Sequence, residues 1–193
     1  MSLKLSFITY CYGDFTMQLR CMLAGLKCQI VNPKAFSIDI HVLDISKKPN
    51  PEIELVCKQF ADVSYRTAKN GYDGCTNLLK TLNTDYVCLT GCDNYVVPGF
   101  SHIMLEAAHR LKADLVYCDC VYDPRLHGRG LYSVLNTVPE LGWIDNACYI
   151  FKKEPFRGYP PHAKDWRDGA LAEEFVKRGL RVFKAKGVLV VHN

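Results

Sequence analysis

The feature that most constrains this chain is an alternation of short apolar runs with amphipathic stretches from Leu3 to Cys120. Leu3–Tyr10 (LKLSFITY), Phe36–Ile45 (FSIDIHVLDI), Val63–Tyr65, Asp85–Leu89 and Asp114–Cys120 each read as a strand bounded by polar or turn residues. Between them the apolar spacing changes to the helical period. Asp14 is placed to cap a helix carrying Leu19, Met22, Leu23 and Leu26, and Pro51 suits the first turn of a helix over Glu52–Phe60. Asn70–Gly74 reads as a loop before a helix over Cys75–Leu82, and a further helix spans Ser101–Leu111. Strands alternating with helices predict an α/β fold: a Rossmann-like, mostly parallel central sheet with helices on both faces.

After Tyr122 the rhythm breaks. Asp123–Gly142 holds Pro124, Gly128, Gly130 and Pro139 and reads as irregular, a length of loop that compact domains keep for function. Asn146–Phe151 reads as a strand, Asp168–Gly179 as a helix stopped by its glycine, and Val182–Val191 as a last strand before His192.

Composition excludes several classes. The net charge of +4 is dispersed, without a basic block, which argues against a nucleic-acid partner while not repelling an anionic substrate. No run has the length of a transmembrane helix, and the N-terminus lacks a signal-peptide pattern. Ten cysteines fall mostly within apolar patterns and include no Cys-x-x-Cys, so free thiols in a reducing cytoplasm are expected, without a zinc site.

Ligands of open α/β sheets sit at the carboxyl ends of strands. The polar knot Thr90-Gly91-Cys92-Asp93-Asn94 follows such a strand, and Pro98-Gly99 closes the segment. Asp93 beside Asn94 suits a hard divalent cation that shares its coordination with a substrate's phosphates; the same pair is also ordinary turn chemistry.

The order of these parts resembles the family 2-like glycosyltransferases of the GT-A fold. The segment Leu89–Gly99 is similar to the Asp-x-Asp signature of that family, with Gly91 at the first acidic position and Asp93 at the second. Asp44 matches the acid that closes the second strand. Near the C-terminus, Arg167-Asp168 opens a helix, Leu171 and Gly179 follow at the family's spacing, and Val190-Val191-His192 ends the next strand. The resemblance implies one domain over residues 1–193, with a nucleotide-sugar and metal half at 1–100 and an acceptor half with the catalytic helix at 101–193. It implies transfer of a sugar from a UDP- or GDP-sugar to a glycan, lipid or protein hydroxyl, with inversion and with Asp168 as general base; Asp165 is the fallback base.

The same resemblance implies Asp93 and His192 as ligands of Mn2+ or Mg2+. Thr9, Tyr10, Tyr12, Asp44, Asn70, Asn77 and Cys92 are expected around the nucleotide, with Tyr72 and Asp73 nearby. Trp143, Asp145, Trp166 and Arg167 are expected to hold the acceptor or sugar. Core packing is the competing role for a tryptophan, and helix capping for Asp168. Two further readings stay open: a non-catalytic nucleotide- or sugar-binding remnant, which the missing acids at Gly91 and Arg167 would explain, and a sugar nucleotidyltransferase. A homodimer is compatible with so small a chain.

Overall fold

The structure is a computed structural model and describes residues 2–122, 132–160 and 167–192, without the side chains of Arg167 and Asp168. In chain order the elements are β1 (Leu3–Cys11), α1 (Thr16–Lys27), β2 (Phe36–Asp44), α2 (Pro51–Lys58), β3 (Val63–Thr67), α3 (Gly71–Thr81), β4 (Tyr86–Gly91), β5 (Tyr95–Val96) and α4 (Phe100–Leu111). There follow β6 (Leu115–Tyr122), β7 (Ser133–Leu135), a 3-10 turn at Asn146–Cys148, β8 (Tyr149–Lys152), α5 (Arg167–Lys177) and β9 (Val182–His192).

The nine described strands form one sheet in the order β3-β2-β1-β4-β8-β6-β9-β5, with β7 paired to β6. The strands β3, β2, β1 and β4 are mutually parallel, and β6 and β9 run the same way. The sheet is therefore mostly parallel, as the alternation predicts. Leu5, Phe7 and Ile8 in β1 and Val87, Cys88 and Leu89 in β4 are fully buried on consecutive positions, so helices cover both faces. On the helices, Leu19, Met22, Leu23 and Leu26 of α1, Leu78 and Leu79 of α3, Phe100, Met104 and Leu105 of α4, and Leu171 and Phe175 of α5 face this core.

Register places the site. Cys11 stands opposite Asp44, Tyr10 opposite Gly91, and Tyr122 opposite His192, so the carboxyl ends of β1, β2, β4, β6 and β9 share one rim. The two-residue β5 pairs Tyr95 with Val191 and Val96 with Val190. This stitch fixes the polar knot after β4 beside the end of β9. Between Tyr117 and Cys120 the β6–β9 register shifts, and Gly187 on β9 takes φ +107°, a conformation open to glycine at this irregularity.

Several local expectations are corrected. Asp14 does not cap α1: the helix starts at Thr16 behind Phe15 without a side-chain cap. The expected Asn70–Gly74 loop is instead the start of α3, because Asn70 Oδ1 accepts from Asp73 N at 2.8 Å and caps it. Asn146–Cys148 forms a 3-10 turn, and the strand begins only at Tyr149. Strand β7 lies inside the segment expected to be irregular. All ten cysteines are free, and eight are buried. No described helix is long and apolar enough to cross a membrane.

Candidate active site

Four polar side chains from three distant segments meet where β4 and β9 end. Asn94 is buried among them. Its Nδ2 donates to Thr90 Oγ1 at 3.3 Å and lies 3.4 Å from Asp145 Oδ1, while its Oδ1 lies 2.9 Å from His192 Nδ1. With the amide oxygen as acceptor, Nδ1 of His192 carries a proton, and in the neutral ring the lone pair is then on Nε2. His192 Nδ1 is also 3.8 Å from Asp145 Oδ2, and the Tyr122 ring stacks on the imidazole at 5.5 Å between centroids. Asp145 is held in turn by Ala147 N, which donates to its Oδ1 at 2.7 Å as the cap of the 3-10 turn.

Asp93 lies half-buried beside this group. Burial pushes its carboxyl above the usual range and Asp145 pushes the same way, against a backbone hydrogen bond and the His192 imidazole. Gly91 makes room for it, because a Cβ there would lie 2.6 Å from Asp93 Oδ1. The residue missing from the first acidic position thus leaves space that the second acid uses.

Asp93, Asn94, Asp145 and His192 line a 170 Å³ cavity with Tyr10, Tyr12 and Cys92. A larger cavity of 530 Å³ shares two of these residues: Asp145 and His192 line both. Its remaining lining includes Cys120, Tyr122, Val134, Leu135, Ile144 and Gly169. Gly169 lies on the first turn of α5, where a Cβ would come within 2.5 Å of Glu140 O and 2.7 Å of Leu141 Cα. Only glycine lets the start of that helix approach so closely the loop leading to Asp145.

The other expected residues fall variously. Thr9 does not reach either cavity: it is buried in the sheet, and its hydroxyl donates to Met22 Sδ at 3.3 Å. Cys92 has a buried thiol whose ionisation is strongly opposed, first by its hydrogen bond with Cys11 and then by burial. Asp44 is 1% exposed and receives Ser46 N at 2.9 Å, Asn50 N at 2.7 Å and Tyr65 Oη at 2.9 Å. Burial alone would raise its pKa, but these donors outweigh it and hold the carboxyl below its ordinary value. Asn70 and Asp73 are engaged with each other at the start of α3, and Asn77 lines a separate 730 Å³ groove with Arg66, Lys69 and Lys80. Tyr72 packs its ring between those of Tyr10 and Tyr159. Trp143 is exposed on the loop before Asp145. Asp165 and Trp166 lie outside the described residues, as do the side chains of Arg167 and Asp168; the backbone of the latter two opens α5.

Tyr122, Asn94 in its supporting role, Ile144 and Gly169 were missed at the level of sequence. The change of rhythm after Tyr122 was the one signal available for the first. Among the described residues, no group of three or more His, Cys, Asp or Glu side chains is placed to hold a metal ion. Asp93 and His192 line the same cavity, and a carboxylate and an imidazole are donor types that divalent cations accept.

The fold is the GT-A fold of nucleotide-diphospho-sugar transferases. Among solved structures, the chain superposes on the mannosyltransferase PcManGT from Pyrobaculum calidifontis in complex with GDP-Man and Mn2+ with a TM-score of 0.74 at 15% identity, covering 100% of this chain and 57% of that one. S. aureus TarS in complex with UDP-GlcNAc matches with a TM-score of 0.71 at 14% identity, over 98% of this chain and 58% of that one. The chain therefore spans somewhat over half the length of these structures. No protein-family model matches the sequence, and no curated protein sequence matches it.

Proposed function

We propose that the chain is a glycosyltransferase that moves a sugar from a UDP- or GDP-sugar to an acceptor hydroxyl. The observation that carries this reading is the pair of cavities meeting at Asp145 and His192, on the rim formed by the carboxyl ends of the GT-A strands. One cavity presents Asp93 and would receive the diphosphate. The other reaches the first turn of α5 and would receive the acceptor. That neighbours of the same fold bind UDP-GlcNAc and GDP-Man supports the choice of donor class.

In this reading Asp168, at the start of α5, takes the proton of the acceptor hydroxyl, a step worth roughly 10²–10⁴-fold in rate. The acceptor oxygen forms its bond to the anomeric carbon as the bond to the diphosphate breaks, and the nucleoside diphosphate departs. A single displacement of this kind inverts the anomeric centre. Asp93 and His192 would hold Mn2+ or Mg2+, which when bound supplies positive charge against the leaving diphosphate. Tyr10 and Tyr12 would lie against the nucleotide, with Cys92 behind them. Asp145 would grip a sugar hydroxyl between the cavities, and Trp143, Trp166 and Arg167 would contribute around the acceptor. Asp44 would act on the nucleotide by fixing the turn Ser46–Asn50 rather than by offering unused oxygens.

The experiment is a transfer assay. Release of nucleoside diphosphate is followed from a panel of UDP- and GDP-sugars with mixed acceptors and Mn2+, for the wild type and for Asp168→Asn. Release by the wild type, reduced about 10²-fold or more in Asp168→Asn, is the expected result. Nucleotide binding without any release would assign the chain to the non-catalytic alternative.

A further inference from the structure

The two cavities at the rim carry the carboxylates Asp93 and Asp145 and, among the described residues, no lysine or arginine. The cations gather elsewhere. Although Lys and Arg are scattered in the sequence, the 730 Å³ groove beside α3 is lined by Arg66, Lys69 and Lys80. It holds one carboxylate, Asp73, which Asn70 already engages. A second cavity of 240 Å³ shares Thr76 and Lys80 with this groove and adds Lys153 and Arg157. Five cations less one carboxylate give these linings a formal charge of +4, equal to that of the whole chain.

These charges find little use within the fold. Among the described residues the side chains of Arg66, Lys69 and Arg157 make no hydrogen bond or ion pair, and Lys80 reaches Asn77 Oδ1 at 3.5 Å. Lys153 donates to Leu82 O. Elsewhere Lys4 is paired with Asp39, Lys58 with Glu54 and Lys184 with Asp119. Clustered like charges repel one another and attract an anionic partner.

Spacing and lining decide the kind of anion. Lys69 precedes the eleven-residue α3 and Lys80 lies in its last turn, so they stand roughly 15 Å apart along its axis. A single phosphate or carboxylate cannot meet both, whereas a chain with repeated charges can. Between them Thr76 and Asn77 offer a hydroxyl and an amide. Leu43 and Leu78, the larger apolar residues of the lining, are buried. No aromatic residue lines the groove, and Phe156 of the second cavity is engaged with the rings of Phe151 and Tyr159. The lining therefore suits sugar hydroxyls better than bases, which bind by stacking on aromatic faces.

We infer that the groove along α3 binds an acidic sugar chain, whose carboxylate or phosphate groups meet Arg66 and Lys69 at one end and Lys80 with Arg157 at the other. The groove shares no lining residue with the cavities at Asp93 and Asp145. The inference thus goes beyond the glycosyltransferase reading and is tested by binding alone.

The test is titration calorimetry of the whole chain, without nucleotide, against hexagalacturonate and phosphorylated maltohexaose. Neutral maltohexaose, hexaglutamate and a thymidine hexanucleotide are the comparisons. At least one acidic sugar should bind about tenfold more tightly than all three, and the stronger of the two identifies the anionic group. Lys69→Glu combined with Lys80→Glu should weaken that binding about tenfold or more, because two attractions become repulsions. Both lysines are exposed, so this variant keeps the fold, which thermal unfolding checks. Lys186→Glu, at an exposed position on β9, should change the affinity by less than about twofold. Binding of neither acidic sugar, or equal binding of the neutral one, would overturn the inference. Hexaglutamate or the hexanucleotide binding as tightly would also overturn it, in favour of a peptide or nucleic-acid partner. So would a Lys186→Glu effect as large as that of the double variant, which would reduce the binding to net charge.

Discussion

His192 Nδ1 lies 2.9 Å from Asn94 Oδ1, so residues almost a hundred positions apart in the chain fix one imidazole. In the neutral ring Asn94 thereby sets the tautomer whose Nε2 lone pair can meet a cation. Removing the amide leaves the ring free to turn toward Asp145. Asn94→Ala is expected to weaken Mn2+-dependent binding of the preferred nucleoside diphosphate by about 10–100-fold, measured by titration calorimetry. An unchanged affinity would separate His192 from the site.

Asp93 is costly to the protein without ligand. Its carboxyl is pushed up first by burial, so between its ordinary pKa of 3.8 and its raised folded value the native state binds more protons than the unfolded chain. Stability therefore falls as pH rises through that window and stays lower above it. Asp93→Asn removes the charge in the same shape. The variant should melt at a higher temperature than the wild type near pH 7, and the two should converge in acid, where both side chains are neutral. A lower melting temperature at pH 7 would contradict this sign.

Asp44 has the opposite balance. Its carboxyl is depressed because donors from Ser46, Asn50 and Tyr65 outweigh the effect of burial. The stability it contributes is present above its unfolded pKa and is lost as pH falls through the lower folded value. Asp44→Ala would leave those three donors without their acceptor and should cost about 3 kcal/mol in urea unfolding near neutral pH. The loss should shrink at acid pH as the wild-type carboxyl becomes protonated.

Gly169 sits between α5 and the loop that leads to Asp145. A Cβ would meet backbone atoms of Glu140 and Leu141 below 3 Å, and backbone cannot swing aside as a side-chain tip can. Gly169→Ala should cost about 1–3 kcal/mol by overpacking and should lower transfer kcat/KM more than nucleotide affinity. Calorimetry and the transfer assay read the two separately.

Much of the frame was legible in sequence because it follows from local periodicity. Strands β1, β2 and β6, and helices α1, α2, α4 and α5, lie within a few residues of where their apolar spacing places them. The misses have a common physical source. Thr9 shows a polar residue at a strand end, but its side chain points at Met22 in the core, and that depends on which face a neighbouring helix covers. Asn70 and Gly71 read as a loop because capping residues and turn residues are the same amino acids. The meeting of Asn94 with His192 depends on the two-residue pairing of β5 with β9, which no pattern of so short a segment announces. Asp93 and His192 stand out in the sequence and line one cavity, whereas the contacts of Asn94, Asp145 and Tyr122 with His192 were not legible there.

The central claim is that the cavity at Asp93 takes a nucleoside diphosphate with a divalent cation. The direct measurement is thermal unfolding with UDP, GDP, CDP or dTDP, each with and without Mn2+ or Mg2+, on the wild type and on Asp93→Ala. A ligand at about 100 times its dissociation constant adds about 2.7 kcal/mol, a clearly measurable shift. The account predicts metal-dependent stabilisation by UDP or GDP that disappears in Asp93→Ala. Stabilisation indifferent to both metal and mutation, or no response to any nucleotide, would contradict it.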